Sequence, residues 1–405
     1  MEAAWRTLLI VLLILAVVLD LPLLMLLCIL LGLVQATAWL WQRTCLDALT
    51  YRRQLGVNRL FFGEETDLRV EVTNAKPLPL SWLRVEDVFP AALEITPESA
   101  VRAYGPGQRM LVNLLSMRWY ERVIRRYRVR GCERGVWRIG PANLASGDLF
   151  GFAIKRRQDE ALDTLLVYPK LLPLTAFGLP ALRPFGELRT VRRLTEDPLQ
   201  LTGARPYAPG DSYRHIHWKA TAHRRELQTK VFDPAAARPV AIFINVNTSR
   251  YLFEGTDYEL REYAISAGAS IARWVCDQGQ PAGVYVNAVM QPGAQRVRIR
   301  PRAHPEQLTE ILDALARVTG YGRWSMGALI AAEARHLPYG SAIVAVSATV
   351  TDELLRALLD LQARGSAAVL VTLGDDAQAS IPAGIRRYHI GGKQEWRELA
   401  TLALA

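Results

Sequence analysis

Pro239-Val240-Ala241-Ile242-Phe243-Ile244-Asn245-Val246 is the stretch on which the reading of the fold turns. A short apolar run, rich in β-branched residues and opened by a proline, reads as a strand buried on both faces. The period then changes. Residues 258–278 set Leu260, Ala264, Ile265, Ala269, Ile271, Trp274 and Val275 at helical spacing. The alternation continues with strands at 283–289, 341–346 and 367–373, and helices at 305–318, 326–334, 351–364 and 396–404. Strands alternating with helices predict a doubly wound parallel α/β domain over 238–405, with its sites at the strand C-termini.

Upstream the pattern is different. Short alternating stretches at 67–73, 81–88, 109–115, 124–129, 136–139 and 165–168 are separated by breakers such as Lys76-Pro77, Gly105-Pro106-Gly107 and Gly140-Pro141. Strands at that spacing predict an all-β sandwich over 55–175. Within it, Arg125-Arg126-Tyr127-Arg128-Val129-Arg130 reads as a strand with an exposed basic face, either solvated or met by an acidic partner or lipid surface.

Residues 7–41 carry almost no charge apart from Asp20. As one helix they would reach about 52 Å, against an apolar bilayer thickness of about 30 Å. Asp20 and Pro22 therefore suit a turn between two short spans, 8–19 and 23–40, in a transmembrane helical hairpin within segment 1–54. Arg6 before the pair and Arg43, Arg52 and Arg53 after it predict both ends, and the bulk of the chain, on the cytoplasmic side of the cell membrane. Trp39 and Trp41 fit the exit interface. A cleaved signal peptide would need a shorter core and a small-residue cleavage site.

The remaining composition is that of globular material. The 405 residues are 50% apolar and 22% charged, a mean hydropathy near zero excludes a polytopic transporter, and 22 Pro with 28 Gly are too scattered for a disordered chain. Four Cys without a CxxC predict neither a disulfide framework nor a zinc knuckle. The net charge of +10 is concentrated. Residues 118–138 hold eight Arg against two Glu, and residues 183–232 hold ten basic against five acidic side chains, so the rest is near neutral.

Segment 176–237 joins the two domains and contains Gly203-Ala-Arg205-Pro-Tyr207-Ala-Pro209-Gly210-Asp211-Ser-Tyr-Arg214-His-Ile216-His-Trp218. Pro209-Gly210 suits a type II turn, and Asp211 can cap a short helix carrying Ile216 and Trp218. Arg205, Asp211 and Arg214 are close enough for a bidentate lock that fixes the junction. The other reading of the same residues is a surface that offers Arg and aromatic side chains to a partner protein.

These residues resemble the signature of the prokaryotic "domain of unknown function fifty-eight" family: Gly203, Arg205, Tyr207, Gly210, Asp211, Arg214, Ile216, Trp218, Ala222 and Leu227 match it in order. His223 stands where that family usually has Arg. Arg134-Gly135, Gly140-Pro141, the Asp148-to-Gly151 stretch and Val167-Tyr168-Pro169 look like the family's β-domain markers. The resemblance implies a von Willebrand factor A-like fold after Pro239, in which a metal site is built from Asp-x-Ser-x-Ser, a Thr and a later Asp. At those positions this chain has Asn245, Asn247 and Ser249, then Trp324 or Ser325, then Ser347. With no carboxylate among them, no metal or other cofactor is expected.

His215, His217 and His223 lack metal-ligand spacing. The sequence has no P-loop and no Gly-x-Ser-x-Gly, so no catalytic residue is nominated and an enzyme is not expected. The hairpin, the sandwich and the metal-poor last domain point to a membrane-anchored scaffold or adaptor, and the resemblance implies association with a MoxR-type AAA+ ATPase, often beside other von Willebrand-like membrane proteins. The alternative is a basic module that binds anionic lipid or, less readily, nucleic acid. Metal-dependent chemistry at the His cluster is a minor third.

Overall fold

The computed structural model describes residues 2–147, 154–174, 201–208, 213, 216–232, 239–249, 255–291, 293, 295–320, 322, 324–338, 340–374, 381–382 and 384–391. The chain divides into two units, Met1–Tyr168 and Pro169–Ala405.

The first unit opens with α1 (Glu2–Val18) and α2 (Pro22–Thr44), which pack against each other. Asp20 breaks the helix between them at φ 51°, a left-handed value Asp tolerates, and Pro22 starts α2 where an N–H would have no helical partner. Among the described residues, one helix is long and apolar enough to cross a membrane. Pro22–Trp41 has 20 residues, about 30 Å of rise, whereas the apolar part of α1, Leu9–Val18, reaches only about 15 Å. The expected pair of spans is thus met at α2 alone.

Strands follow: β1 (Leu49–Leu55), β2 (Arg59–Leu60), β3 (Glu65–Asn74), β4 (Leu80–Pro90), β5 (Leu93–Thr96), β6 (Val101–Gly105), β7 (Gln108–Met117), β8 (Arg122–Gly131), β9 (Gly135–Ile139), β10 (Ala142–Gly147), β11 (Ile154–Asp159) and β12 (Asp163–Val167). They form sheets in the orders β1-β3-β8-β5, β11-β10-β4-β7-β6 and β2-β12-β9. Leu68 and Val72 from the first sheet share one core with Leu83, Phe89 and Leu111 from the second. The first strand begins at Leu49, ahead of the expected start at Leu55.

No linker separates α2 from this core, because Cys45 and Leu46 are already buried in it. Trp41 also packs against the core, so Trp39 is left as the outward aromatic of the pair assigned to the membrane interface. The last carbonyls of a helix lack intrahelical partners. Here three cations satisfy that end: Lys76 Nζ donates to Thr44 O at 2.6 Å and to Cys45 O, Lys155 Nζ to Arg43 O at 2.7 Å, and Arg157 to Leu46 O at 3.0 Å. Positive charge also suits the helix C-terminus. Burial pushes the Lys76 ammonium below the usual lysine range.

The basic strand is β8, with Tyr127 and Val129 turned into the core and Arg126, Arg128 and Arg130 outward. Carboxylates on the flanking strands offset part of its charge. Arg122 pairs with Glu71 at 2.6 Å, Arg128 with Glu65 at 3.8 Å and Arg130 with Glu94 at 4.0 Å.

The second unit begins with β13 (Leu201–Pro206), α3 (Trp218–Arg224) and β14 (Gln228–Phe232), in which β13 and β14 pair antiparallel. It continues through β15 (Val240–Ile244), α4 (Tyr258–Asp277), β16 (Ala282–Met290), β17 (Gln295–Arg302), α5 (Gln307–Ala316), β18 (Val318–Thr319), α6 (Met326–Glu333), β19 (Ala342–Ser347), α7 (Asp352–Ala363), β20 (Ala367–Thr372) and β21 (Arg386–His389). The sheet order is β17-β16-β15-β19-β20-β21. Its pairings are parallel from β16 to β21, and β17 adds an antiparallel edge.

Helices cover both faces. Ala241 and Phe243 meet Leu329 and Ile330 of α6 and Leu354 and Leu358 of α7, while Ile244, on the opposite face of the strand, faces α4. The approach at α4 is close, since a Cβ on Gly268 would lie 2.2 Å from Ile244 Cδ1 and the isoleucine would have to move. Asp257 caps α4 by accepting from Glu259 N at 2.9 Å, and Thr351 caps α7 from Leu354 N at 3.3 Å. The markers expected at 148–151 and the helix expected at 396–404 lie outside the described residues.

Candidate functional site

From β15 the chain crosses first to β16 on one side and later to β19 on the other, so the crevice between β15 and β19 is the topological switch point of the sheet. Asn245 follows directly on β15, Ser347 ends β19, and Asn287 interrupts the apolar run of β16. The structure brings these three together with Asn247. Asn245 Nδ2 donates to Ser347 Oγ at 2.8 Å, Asn287 Nδ2 donates to Asn245 Oδ1 at 2.7 Å, and Ser347 Oγ donates to Thr349 O at 2.6 Å.

Backbone donors fix which way each amide points. Asn245 Oδ1 accepts the Asn247 N–H at 3.1 Å, Asn287 Oδ1 accepts Val246 N–H at 2.9 Å, and Asn247 Oδ1 accepts Gly322 N–H at 2.8 Å. The remaining hydrogen of Asn287 reaches Trp324 O at 3.2 Å. Side chains of Asn245, Asn287 and Ser347 are buried, so each bond also avoids the desolvation cost of an orphaned polar group.

A divalent cation needs several hard oxygens aimed at one point. The lattice instead presents amide hydrogens from Asn245 and Asn287 inward, and Asn245 Oδ1 is already engaged by two donors. These residues do not fit a metal. Ser249 stands apart, with Oγ donating to Gly255 O at 2.5 Å, and Ser325 instead caps α6 while bonding Glu353 at 2.8 Å.

The second candidate surface is the junction motif. Gly203 and Arg205 lie on β13, Arg205 opposite Thr229 of β14, and Ile216 bridges the same Thr229 while itself buried. Tyr207 N donates to Leu227 O at 2.8 Å, and the Tyr207 ring stacks on Tyr213 with centroids 5.9 Å apart. Tyr213 is 75% exposed and Trp218 69%. The helix described here, α3, starts at Trp218, and its cap is His217, whose Nδ1 accepts from Ala220 N at 3.0 Å. That capping role engages Nδ1 of the ring. Among the described residues no group of three or more His, Cys, Asp or Glu is placed to hold a metal.

Pro209, Gly210, Asp211, Arg214 and His215 lie outside the described residues, so the turn and the Arg205–Asp211–Arg214 lock are untouched by these observations. Arg205 NH1 donates to Pro206 O at 3.2 Å. Asn287, Thr349 and Gly322 join the switch-point lattice without having been singled out in the sequence. The available signal for Asn287 was one amide inside the otherwise apolar Ala-Gly-Val-Tyr-Val-Asn-Ala-Val-Met.

Among solved structures, the chain is similar to the CARDB domain of PF1109 from Pyrococcus furiosus, at TM-score 0.21 and 13% identity over 29% of this chain and 91% of that one. A cohesin module from a Clostridium perfringens family 33 glycoside hydrolase matches at TM-score 0.21 and 13% identity, covering 29% and 94%. Scores this low bear on neither fold nor role. Uncharacterized protein YeaD of Bacillus subtilis (strain 168) is 24% identical over 233 residues, 57% of this chain and 54% of that protein. The chain thus spans about half the length of the curated relative it matches. Residues 203–391, which run from the junction motif through the parallel sheet, match the family model described as "Protein of unknown function DUF58".

Proposed function

We propose that this chain is a membrane-anchored, non-catalytic scaffold or adaptor. In this reading α2 holds a β-sandwich at the cytoplasmic face of the cell membrane, and a doubly wound, von Willebrand factor A-like domain docks a protein partner. The observation that carries it is the closed lattice of Asn245, Asn287 and Ser347. The place where an open α/β sheet keeps its ligand chemistry holds neutral amides bonded to one another. Exposed Tyr213 and Trp218 on the junction motif supply the aromatic chemistry typical of binding hot spots.

The partner proposed is an AAA+ ATPase of the MoxR type, which would provide the nucleotide chemistry for which this sequence has no P-loop. Other von Willebrand-like membrane proteins are proposed as further members of the assembly. A basic module for anionic lipid or nucleic acid is the weaker reading, because Glu71, Glu65 and Glu94 already pair with Arg side chains of β8. Affinity capture from native membranes, with wild type, Arg205→Ala and Asp211→Ala, tests the proposal. Recovery of the ATPase with wild type and its loss with the variants supports it; recovery of no ATPase contradicts it.

A further inference from the structure

We propose that the tip of the β7–β8 hairpin, Arg118-Trp119-Tyr120, is a second membrane contact that enters the lipid headgroup layer beside α2. The inference rests on the reading that α2 crosses the bilayer. It starts from strand register. Leu49, where β1 leaves α2, pairs with Asn74, Thr73 pairs with Arg122, and Leu80 pairs with Met117. The β7–β8 turn therefore lies at the same end of the β unit as the exit of the helix.

Direct bonds tie the two together. Lys76 Nζ donates to the carbonyls of Thr44 and Cys45 at the end of α2, while Lys76 O accepts the Tyr120 N–H at 3.3 Å. One lysine thus separates the hairpin tip from the helix terminus. Thr44 is three residues past Trp41, where the apolar segment ends, a rise of about 4.5 Å. The headgroup layer on each side of the hydrocarbon is about 5–7 Å deep, so the tip sits at its depth.

The side chains at the tip are those the interface selects. Trp119 is 63% exposed and Tyr120 67%, an unusual pair of large aromatics to leave in water, and Arg118 precedes them. Trp and Tyr concentrate at headgroup level because their rings are apolar at one end and polar at the other. The tip is also built to hold them out. Buried Asn74 donates through Nδ2 to Arg118 O at 2.8 Å and Leu78 O at 2.9 Å, Glu121 accepts from Arg118 N at 2.5 Å, and Tyr120 takes φ 55°. A non-glycine residue at that φ is uncommon, and here it turns the aromatic pair outward at the apex.

The test uses the full chain labelled with 5-fluorotryptophan in nanodiscs of phosphatidylcholine and phosphatidylglycerol, with and without lipid carrying a nitroxide near the headgroup. Trp119→Phe and Trp39→Phe assign two fluorine resonances. The expected result is that the nitroxide bleaches the Trp119 resonance as strongly as that of Trp39. If Trp39 is bleached and Trp119 is untouched, α2 crosses and the tip does not enter, which overturns the inference alone; a tip that docks protein instead gives this outcome. If neither is bleached, the crossing of α2 fails as well.

Discussion

Asn287 Nδ2 lies 2.7 Å from Asn245 Oδ1, joining two neighbouring parallel strands at the switch point of the sheet. Both amides are oriented by backbone N–H groups, Asn245 by that of Asn247 and Asn287 by that of Val246. Neither can flip without facing donor to donor. The pair is therefore a fixed structural element, and it consumes the polar groups that a ligand-binding crevice would leave open.

Asn287→Asp should be strongly destabilising. The substitution turns the donor toward Asn245 Oδ1 and Trp324 O into an acceptor, at a residue with no exposed surface. A buried, unpaired charge of this kind costs about 3–5 kcal/mol. The unfolding midpoint of the α/β unit in the detergent-solubilised full chain measures it, and an unchanged midpoint would contradict the lattice.

At Gly322 the constraint is steric. A Cβ there would meet Asn287 Nδ2 at 2.4 Å and Asn247 Oδ1 at 2.7 Å, so Gly322→Ala must displace both amides from their own hydrogen bonds. Overpacking of this size costs about 1–3 kcal/mol. Hydrogen exchange of the Gly322-linked loop and of the end of β15 should accelerate in the variant.

Lys76→Met keeps an apolar stem but removes the donor to Thr44 O and Cys45 O. Loss of a charged donor to buried carbonyls should cost about 1–3 kcal/mol. Limited trypsin digestion in proteoliposomes should then cut faster at Arg52 and Arg53, which the intact helix-to-sheet junction holds in β1.

The β unit should respond to mild acid through Asp87. Its carboxylate accepts from Tyr51 OH at 2.5 Å and Arg53 NH1 at 2.9 Å, yet burial pushes its pKa up to about 6. Because the folded pKa is raised, the fold favours the protonated form, so this contribution to stability is full below about pH 4 and is lost as pH rises to 6. The size is on the order of 3 kcal/mol, at about 1.4 kcal/mol per pKa unit. Compared with Asp87→Asn, whose offset is constant, the wild-type unfolding midpoint should fall between pH 4 and pH 6.

Periodicity was enough to place β15, α4, β16, β19, α7 and β20, since each buries a continuous or regularly spaced apolar set. Strands without that pattern were invisible. β11, Ile-Lys-Arg-Arg-Gln-Asp, has no buried residue, and β1 turns Arg53 inward to meet Asp87 where an apolar residue would have marked a core face. The length of the apolar segment suggested two spans, yet the break at Asp20 leaves α1 too short, and Trp41 prefers the protein core to the bilayer. At the site, positions Asn245, Asn247 and Ser347 could be named from the resemblance, but their closure through Asn287 depends on strand neighbours about forty residues apart in sequence, which local pattern does not reveal.

The most direct test of the docking role places a photoreactive phenylalanine analogue at Trp218, which is 69% exposed on the first turn of α3, and irradiates native membranes containing the full chain. The expected result is an adduct with an AAA+ ATPase, identified by mass spectrometry, that is lost when Arg205→Ala is added. An adduct confined to lipid, or no protein adduct while the same analogue at Tyr213 is equally silent, would contradict it.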